Sequence, residues 1–325
     1  MKQTSSSYPR LLGDIGGTNA RFAWQDSPDT ALADVASYPC SEHESLLHAM
    51  QHYLRDRAKP APRWCAIGIA NPIVGDHVKM TNHDWSFSIS AVQQSLGAER
   101  FLVINDFTAL ALSLPALTPS DLMQVGGGEP VVGAPLALLG PGTGLGVSGL
   151  LAGRGGAGWV PLNGEGGHVT LASADDFEDA VVRQLRQRFG HASAERALSG
   201  PGLVNLYEAA CDVAGVAVQA RTAAEITAAA AAGTDPQCVQ AEALFFSFLG
   251  TVAGNLALSL GARGGVYIGG GITPRMGQRI LGSAFRVRFE SKGRFQDYLA
   301  SIPVYVVNAK LPPALTGATR ALDEL

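Results

Sequence analysis

The chain has 325 residues, of which 46% are hydrophobic and 16% are charged, enough for about two domains with sizeable cores. Its 24 basic and 28 acidic residues give a formal net charge of −4, which excludes a general attraction to nucleic acid or to an anionic membrane. Four dispersed cysteines without a C-x-x-C pair argue against a disulfide framework and a zinc site, and they favour a reducing compartment.

The first predicted element is a β-hairpin around a glycine-rich turn, with the sequence "LLGDIGGTNARFAW" at 11–24. One carboxylate, Asp14, precedes a turn that consists of Gly16, Gly17, Thr18 and Asn19. The spacing is wrong for a Rossmann loop, and a Walker loop would need a Gly-Lys-Ser/Thr sequence. Converging glycine amides can bind an anion, and an acid beside them is explained if Mg²⁺ lies between it and a phosphate. The alternative is an ordinary hairpin turn in which Asp14 caps a backbone amide.

Two apolar runs, at 64–70 and 101–106, are predicted to be buried strands, and a helix follows the second run. Side chains at the carboxyl ends of parallel strands lie where α/β proteins bind their ligands. There Asp106 can accept a proton from a substrate hydroxyl, and Asn105 offers both a donor and an acceptor. Helix capping by either residue is the alternative.

A stretch rich in proline and glycine between Pro115 and Pro135 predicts the boundary between two domains. The first domain is expected to span residues 1–115 and the second residues 116–308. A C-terminal helix at about 309–325 is expected to return to the first domain. The hairpin sequence occurs again as "LLGPGTGLGVSGLL" at 138–151, and one repeat at this separation favours two related domains.

Glycine turns recur at two further places in the second half of the chain. The repeated hairpin has Gly142, Thr143 and Gly144 in its turn, and a predicted strand within 264–276 leads into Gly269, Gly270 and Gly271. One such turn would be interpreted as an ordinary turn. Two matched turns and a triple glycine together favour phosphate binding.

Polar residues among glycines form the next candidate site. Glu165 and His168 occur in "PLNGEGGHVTLA" at 161–172, and Glu195 precedes another glycine turn. Each hydroxyl of a polyol that leaves water must find a partner, which such side chains supply. Taken singly, His168 is typical of a surface histidine and Glu195 of a solvated acid. The sequence has no zinc-ligand spacing and no G-x-S-x-G motif, so it does not support a metallohydrolase or a serine hydrolase.

An uncharged segment at 243–262 is long enough to cross a membrane. Polar residues recur in it every four positions and form one stripe of a helix: Ser247, Thr251, Asn255 and Ser259. We predict a buried core helix capped by Asp235 and no membrane span. The first ten residues lack the apolar centre of a secretory signal, so a cytoplasmic protein is expected.

Two basic clusters have helical spacing. They consist of Arg183, Arg186 and Arg188, and of Arg286, Arg288, Lys292 and Arg294. We predict that both are solvated helix faces, because isolated charge runs are more often solvated than bound to a polyanion.

Six motifs in order make the sequence recognisable: "GDIGGTNAR", "VIND", "GPGTGLG", "NGEGGH", "SGPG" and "GGGI". Together they resemble the bacterial ATP-dependent glucokinase family of the hexokinase and actin superfamily, from about Leu11 to the C-terminal helix. The resemblance implies an α/β fold of two RNase H-like domains that flank a cleft. It also implies transfer of the ATP γ-phosphate to the 6-hydroxyl of glucose, a requirement for Mg²⁺, and a cytoplasmic homodimer.

The resemblance also implies a role for each candidate residue. Asp106 is the catalytic base, and it binds glucose together with Asn105, Glu165, His168 and Glu195. The residues Gly16, Gly17, Thr18 and Asn19 form the first phosphate loop, Gly142 to Gly144 the second, and Gly269 to Gly271 the adenosine turn. Asp14 faces the Mg²⁺ of ATP through water.

Two neighbouring classes fit the sequence less well. The sugar kinases related to repressors carry a zinc-binding cysteine cluster after the Gly-Glu-Gly-His segment, and this chain has none there. We also expect no DNA-binding helix-turn-helix, because the ten residues before Leu11 in this sequence are too few to form one. A sugar-binding sensor without turnover and a kinase for another hexose remain the alternatives.

Overall fold

The computed structural model describes residues 6–81, 83–153, 155 and 158–324. Internal contacts divide the chain into two units. Unit 1 comprises Met1–Thr118, Gly158–Asn163 and Ala309–Leu325, and unit 2 comprises Pro119–Ala157 and Gly164–Asn308. Each unit combines a β-sheet with helices, which is the α/β class predicted from the sequence.

The strands within the described ranges are, in chain order, β1 (Arg10–Ile15), β2 (Asn19–Gln25), β3 (Ala33–Pro39), β4 (Trp64–Ile69), β5 (His77–Lys79), β6 (Ser86–Ser88), β7 (Arg100–Asn105), β8 (Leu122–Gln124), β9 (Leu136–Pro141), β10 (Leu145–Ala152), β11 (Trp159–Asn163), β12 (Val266–Ile268) and β13 (Val304–Val307). The helices are α1 (Leu46–Asp56), α2 (Ile89–Leu96), α3 (Asp106–Ser113), α4 (Asp176–Phe189), α5 (Gly200–Ala214), α6 (Ala223–Ala232), α7 (Pro236–Leu260), α8 (Thr273–Met276), α9 (Phe285–Glu290), α10 (Gln296–Ala300) and α11 (Pro313–Glu324).

Five strands of unit 1 form a sheet in the order β3-β2-β1-β4-β7. β1 and β2 are antiparallel, whereas β1, β4 and β7 are parallel neighbours. Alternate residues of β1 face opposite sides of the sheet. Leu11 belongs to the core cluster that contains Leu46 of α1, and Leu12 belongs to the cluster that contains Leu315 of α11. Helices therefore cover both faces, which explains why the parallel strands are continuous apolar runs.

The C-terminal helix α11 packs against α3 within unit 1. Its close approach depends on Gly317, because a Cβ there would overlap the carbonyl oxygen of Ala109 in α3. α3 also lies close to β4, where a Cβ on Gly68 would lie 2.9 Å from the Cβ of Ala109. This packing fixes the first residue of α3, Asp106, beside the ends of the parallel strands.

Unit 2 has a related arrangement, with neighbouring strands in the order β10-β9-β12-β13-β8. β9 and β10 form an antiparallel hairpin, β12 and β13 follow in parallel, and β8 is antiparallel. Each unit thus contains a hairpin next to two further parallel strands. The hairpin repeat predicted from the sequence is confirmed.

Helix α7 is the one described helix long and apolar enough to cross a membrane by length and composition. In its most apolar window, 61% of the residues are buried inside the protein. Gly250 and Gly254 lie against α9, because a Cβ at either position would overlap a backbone carbonyl oxygen of that helix. Asp235 caps α7 by accepting hydrogen bonds from two amides of its first turn. The prediction of a core helix is confirmed.

The prediction for the second basic cluster is wrong, because most of this cluster is not solvated. Arg288 donates to both carboxylate oxygens of Glu178, whose side chain is 3% exposed, and to the hydroxyl of Thr251. Arg286 is also largely buried and donates to the carbonyl oxygens of Ala300 and Ile302. Arg286 and Arg288 are paired with Glu290 and Glu178, whereas Lys292 donates to the carbonyl oxygen of Thr251 in α7. The first cluster, Arg183, Arg186 and Arg188, is exposed as predicted.

Candidate active site

In unit 1 the predicted residues meet at the carboxyl ends of adjacent parallel strands. Asp14 of β1 pairs in register with Gly68 of β4, and Ile69 of β4 pairs with Asn105 of β7. Asp106 follows directly as the first residue of α3. The ends of β1, β4 and β7 therefore place two carboxylates on one edge of the sheet, where ligands bind in α/β proteins.

The carboxyl of Asp106 has the electrostatics of a proton acceptor. Burial raises its pKa from the ordinary 3.8 to about 6, and the negative charge of Asp14 adds to this rise. The amide of Phe107 donates to its Oδ1 at 3.0 Å and offsets part of the effect. The neighbouring Asn105 side chain lowers the pKa to a smaller extent, and no direct hydrogen bond to Oδ2 is present among the described residues. A carboxylate with a pKa near neutral and one free oxygen can accept a proton at physiological pH.

Asn105 is the N-cap of α3, so the capping alternative applies to this residue. Its Oδ1 accepts hydrogen bonds from the amides of Phe107 at 2.9 Å and Thr108 at 3.2 Å. Its Nδ2 donates to the carbonyl oxygen of Asn71 at 3.5 Å and has a second hydrogen left for a ligand. Because Asn105 caps the helix, Asp106 is not needed for that purpose.

The first glycine turn leaves backbone amides free. Gly16 N–H donates to the carbonyl oxygen of Asn19 at 3.0 Å and so closes the turn. The amides of Gly17 and Thr18 have no acceptor within the part of the chain that the structure describes. Cys40, which like the other three cysteines is free and buried, supports the turn with its amide and its thiol. Two unpaired amides at a glycine turn can bind an anion.

Asp14 lies next to this turn and is largely buried. Burial raises the pKa of its carboxyl, and the guanidinium of Arg21 at 3.1 Å offsets part of that rise. Its Oδ1 accepts no hydrogen bond from the described residues. Within the described ranges no group of three or more His, Cys, Asp and Glu side chains is placed to hold a metal. A single buried carboxylate oxygen fits Mg²⁺, which takes its other ligands from phosphates and water.

In unit 2 the second glycine turn lies between three other segments. Gly142 N–H donates to Gly144 O at 2.8 Å, and Gly142 O accepts from the amide of Gly200 at the start of α5. Glu195 accepts a hydrogen bond from the amide of Leu145 at 2.9 Å. The triple glycine packs against the same turn, since Ile272 N–H donates to the carbonyl oxygen of Pro141. The structure thus brings together Gly142, Thr143, Gly144, Glu195, Gly269, Gly270 and Gly271.

Glu165 precedes a 3-10 turn that packs on β10, and His168 is the last residue of this turn. A Cβ on Gly166 would lie 2.7 Å from a methyl of Val147, and a Cβ on Gly167 would overlap the carbonyl oxygen of Leu145. Both candidate side chains are exposed and accept or donate no hydrogen bond within the described ranges. Residues 169–171 then pair with 192–194, which brings Glu195 to this place.

The candidate residues thus form two sets, one on each unit. Asp14, Gly16, Gly17, Thr18, Asn19, Asn105 and Asp106 lie in unit 1, and the remaining candidates lie in unit 2. Sequence reasoning missed Arg21, Cys40 and the contact of Glu195 with the turn. Arg21 was detectable, because a hairpin register that places Ile15 opposite Ala20 also places Asp14 opposite Arg21. The other two contacts depend on tertiary packing.

Two α/β units with matched glycine turns, and a carboxyl whose pKa is near neutral, are the features expected of a phosphotransferase that acts on a hydroxyl group. A sequence model of the glucokinase family matches residues 11–325. A glucokinase of Aromatoleum aromaticum is 55% identical over 320 residues, 98% of this chain and 96% of the relative. A glucokinase of Neisseria meningitidis is 49% identical over 318 residues, with the same two coverages. The crystal structure of a glucokinase from an Antarctic psychrotroph matches with a TM-score of 0.89 and 36% identity, covering 98% of this chain and 99% of that one.

The chain therefore belongs to the glucokinase family. The family's reaction, transfer of the γ-phosphate of ATP to the 6-hydroxyl of glucose, is the function of this chain. The hexokinase-like two-domain α/β fold expected from the sequence is confirmed.

Proposed function

We propose that Asp106 is the general base of the reaction and accepts the proton of the sugar 6-hydroxyl as that oxygen attacks the phosphate. The observation that carries this assignment is the buried carboxyl with a pKa of about 6 and a free Oδ2. Phosphoryl transfer has a loose transition state, so positioning of the hydroxyl contributes most of the acceleration. Asp106 supplies both the position and the proton acceptor.

Four other side chains are proposed to bind the hydroxyls that do not react. Glu165 and His168 are exposed and unpaired within the described chain, and Glu195 and Asn105 each keep one polar atom available. Carboxylates accept hydrogen bonds from hydroxyls, whereas the amide of Asn105 donates. A hexose with another stereochemistry would move one hydroxyl away from its partner and leave that side chain without a hydrogen bond in the bound complex. These residues should therefore favour glucose.

The nucleotide is proposed to bind at the glycine turns. The free amides of Gly17 and Thr18 donate to phosphate oxygens, the turn at 142–144 binds a second phosphate, and the turn at 269–271 borders the adenosine. Asp14 would hold Mg²⁺ through water, and the bound ion would neutralise phosphate charge. Arg21 keeps the Asp14 carboxylate in position and limits its proton uptake.

We further propose that units 1 and 2 are the two RNase H-like domains of this family and that the enzyme is a cytoplasmic homodimer. We also propose that it belongs with the zinc-free members. The support for the last point is that all four cysteines are buried and dispersed over different elements.

The test is a panel assay of ATP-dependent phosphorylation across glucose, mannose, fructose and galactose, with and without Mg²⁺. We expect glucose 6-phosphate as the main product and no turnover after chelation of the metal. Faster turnover of another hexose would favour the alternative hexose kinase. Glucose binding by calorimetry without any turnover would favour a sensor, and either result would refute the proposal.

A further inference from the structure

Glu195 contacts the second glycine turn through its carboxylate. The amide of Leu145, at the exit of the turn, donates to its Oε2 at 2.9 Å. A Cβ on Gly144 would lie 2.5 Å from the same oxygen, so the carboxylate reaches the turn only because this position is glycine. In the hairpin register Leu145 lies opposite Pro141, whose carbonyl oxygen accepts from the amide of Ile272.

The backbone of Glu195 is fixed more firmly than its side chain. Its carbonyl oxygen accepts from the hydroxyl of Ser199 at 2.8 Å, and Ser199 caps α5. The amide of Gly200 in turn holds Gly142 O. The entrance of the turn is therefore fixed by backbone bonds, whereas the amide at its exit depends on the Glu195 side chain.

The carboxylate of Glu195 has one oxygen in use and one available. Oε1 accepts no hydrogen bond, and no cation pairs with the carboxylate, within the described ranges. The segment that pairs with residues 192–194 directly follows Glu165 and His168, so Glu195 lies close in the fold to the two residues proposed to bind sugar hydroxyls.

We propose that Glu195 is a positioning residue that couples sugar binding to nucleotide binding within unit 2; this inference rests on the proposed function of the site. A sugar hydroxyl on Oε1 fixes the side chain in the rotamer whose Oε2 holds the Leu145 amide. The turn is then preorganised for phosphate before the nucleotide arrives. Because such coupling is reciprocal, bound nucleotide also strengthens sugar binding.

The test compares Glu195→Asp, one methylene too short to reach the turn, with Glu195→Gln, which keeps an acceptor at the same reach. Calorimetry would measure binding of a non-hydrolysable ATP analogue with Mg²⁺, with and without saturating glucose. Glucose should tighten analogue binding about 5- to 30-fold in the unsubstituted enzyme, but less than about twofold in Glu195→Asp. Glu195→Gln should keep most of the coupling although its KM for glucose rises.

Gly144→Ala tests the same contact from the other side. Its Cβ displaces only the end of a flexible side chain, so the protein should fold with an unchanged Tm and lose the coupling. In the double variant with Glu195→Asp the losses should not add, because both changes remove one contact. As a matched control, Glu165→Asp should change the KM for glucose and leave analogue binding without sugar unaffected.

Equal coupling in Glu195→Asp and the unsubstituted enzyme, or additive losses in the double variant, would overturn the inference. These results are distinct from failure of the proposed function, because analogue binding without sugar and turnover of the unsubstituted enzyme are measured separately.

Discussion

Asp106→Asn removes the charge and the proton acceptor of the candidate base while it keeps the shape of the side chain. The Oδ1 of the new residue can still accept from the amide of Phe107, and Asn105 continues to cap α3. The helix should therefore stay intact. Because the variant cannot take the hydroxyl proton, kcat is expected to fall about 10²–10⁴-fold, with glucose binding weakened much less.

The same substitution is expected to stabilise the protein. The difference between the ordinary pKa of 3.8 and a value of about 6 corresponds to at most about 3 kcal/mol. The folded protein binds the Asp106 proton more tightly than the unfolded chain does. Burial of Asp106 therefore carries no charge penalty below about pH 3.8, and the free energy of unfolding falls as the pH rises through about 6. At neutral pH the whole cost of the buried charge is therefore present. An uncharged amide avoids it, so the free energy of unfolding should rise by about 1–3 kcal/mol.

Activity is measured by coupling glucose 6-phosphate formation to a dehydrogenase. Stability is measured separately by denaturant unfolding at about pH 8 and about pH 4. The stability difference between Asp106→Asn and the unsubstituted enzyme should be largest at the higher pH and nearly vanish at the lower one. Asp176→Asn is the matched control, since Asp176 is the exposed first residue of α4 and should affect neither quantity. An Asp106→Asn enzyme with kcat within tenfold of normal, or with reduced stability at the higher pH, would refute the reasoning.

Three further outcomes are expected. The value of kcat/KM for glucose should fall about tenfold per pH unit below about pH 6, because the base must be deprotonated. A pH profile that stays flat down to about pH 5 would contradict this. Asp14→Asn should raise the Mg²⁺ concentration needed for half-maximal rate about tenfold or more without destabilising the protein, as measured by metal titration and thermal unfolding. Arg288→Met should lower the free energy of unfolding by about 3–5 kcal/mol, because it leaves the Glu178 carboxylate buried and unpaired, whereas the exposed Arg183→Met should change it by less than about 0.5 kcal/mol.

Local patterns explain what the sequence could predict. The hairpin of β1 and β2 follows from alternating apolar residues around glycines, and the start of α7 follows from Asp235 and the proline after it. Asp14 and Asp106 were identifiable because Asp14 lies in β1 and Asp106 is the first residue of α3. In every such case the physical cause is contained in a short window of the chain.

Basic residues at helical spacing show where a local pattern is insufficient. Arg183 and Arg288 occur in similar sequence surroundings, yet the first is exposed and the second pairs with Glu178 in the protein interior. The side of α9 that carries Arg288 is buried because Gly250 and Gly254 allow α7 to approach it closely. Whether a charge is solvated therefore depends on a partner helix, and helical periodicity alone does not contain that information.

The two glycine turns of the candidate site show the same difference between local and tertiary information. Each turn has a carboxylate beside it, Asp14 at the first and Glu195 at the second. Asp14 is two residues before its turn, so the sequence indicates both the acid and the need for a cation. Glu195 is 50 residues from the amide that donates to it, and tertiary contacts such as the pairing of 169–171 with 192–194 bring it there. The hairpin is thus a repeated local unit, whereas the charge beside the second turn is supplied by the fold. Under the roles proposed above, this separation would let one turn bind a metal-bound phosphate while the other responds to the sugar.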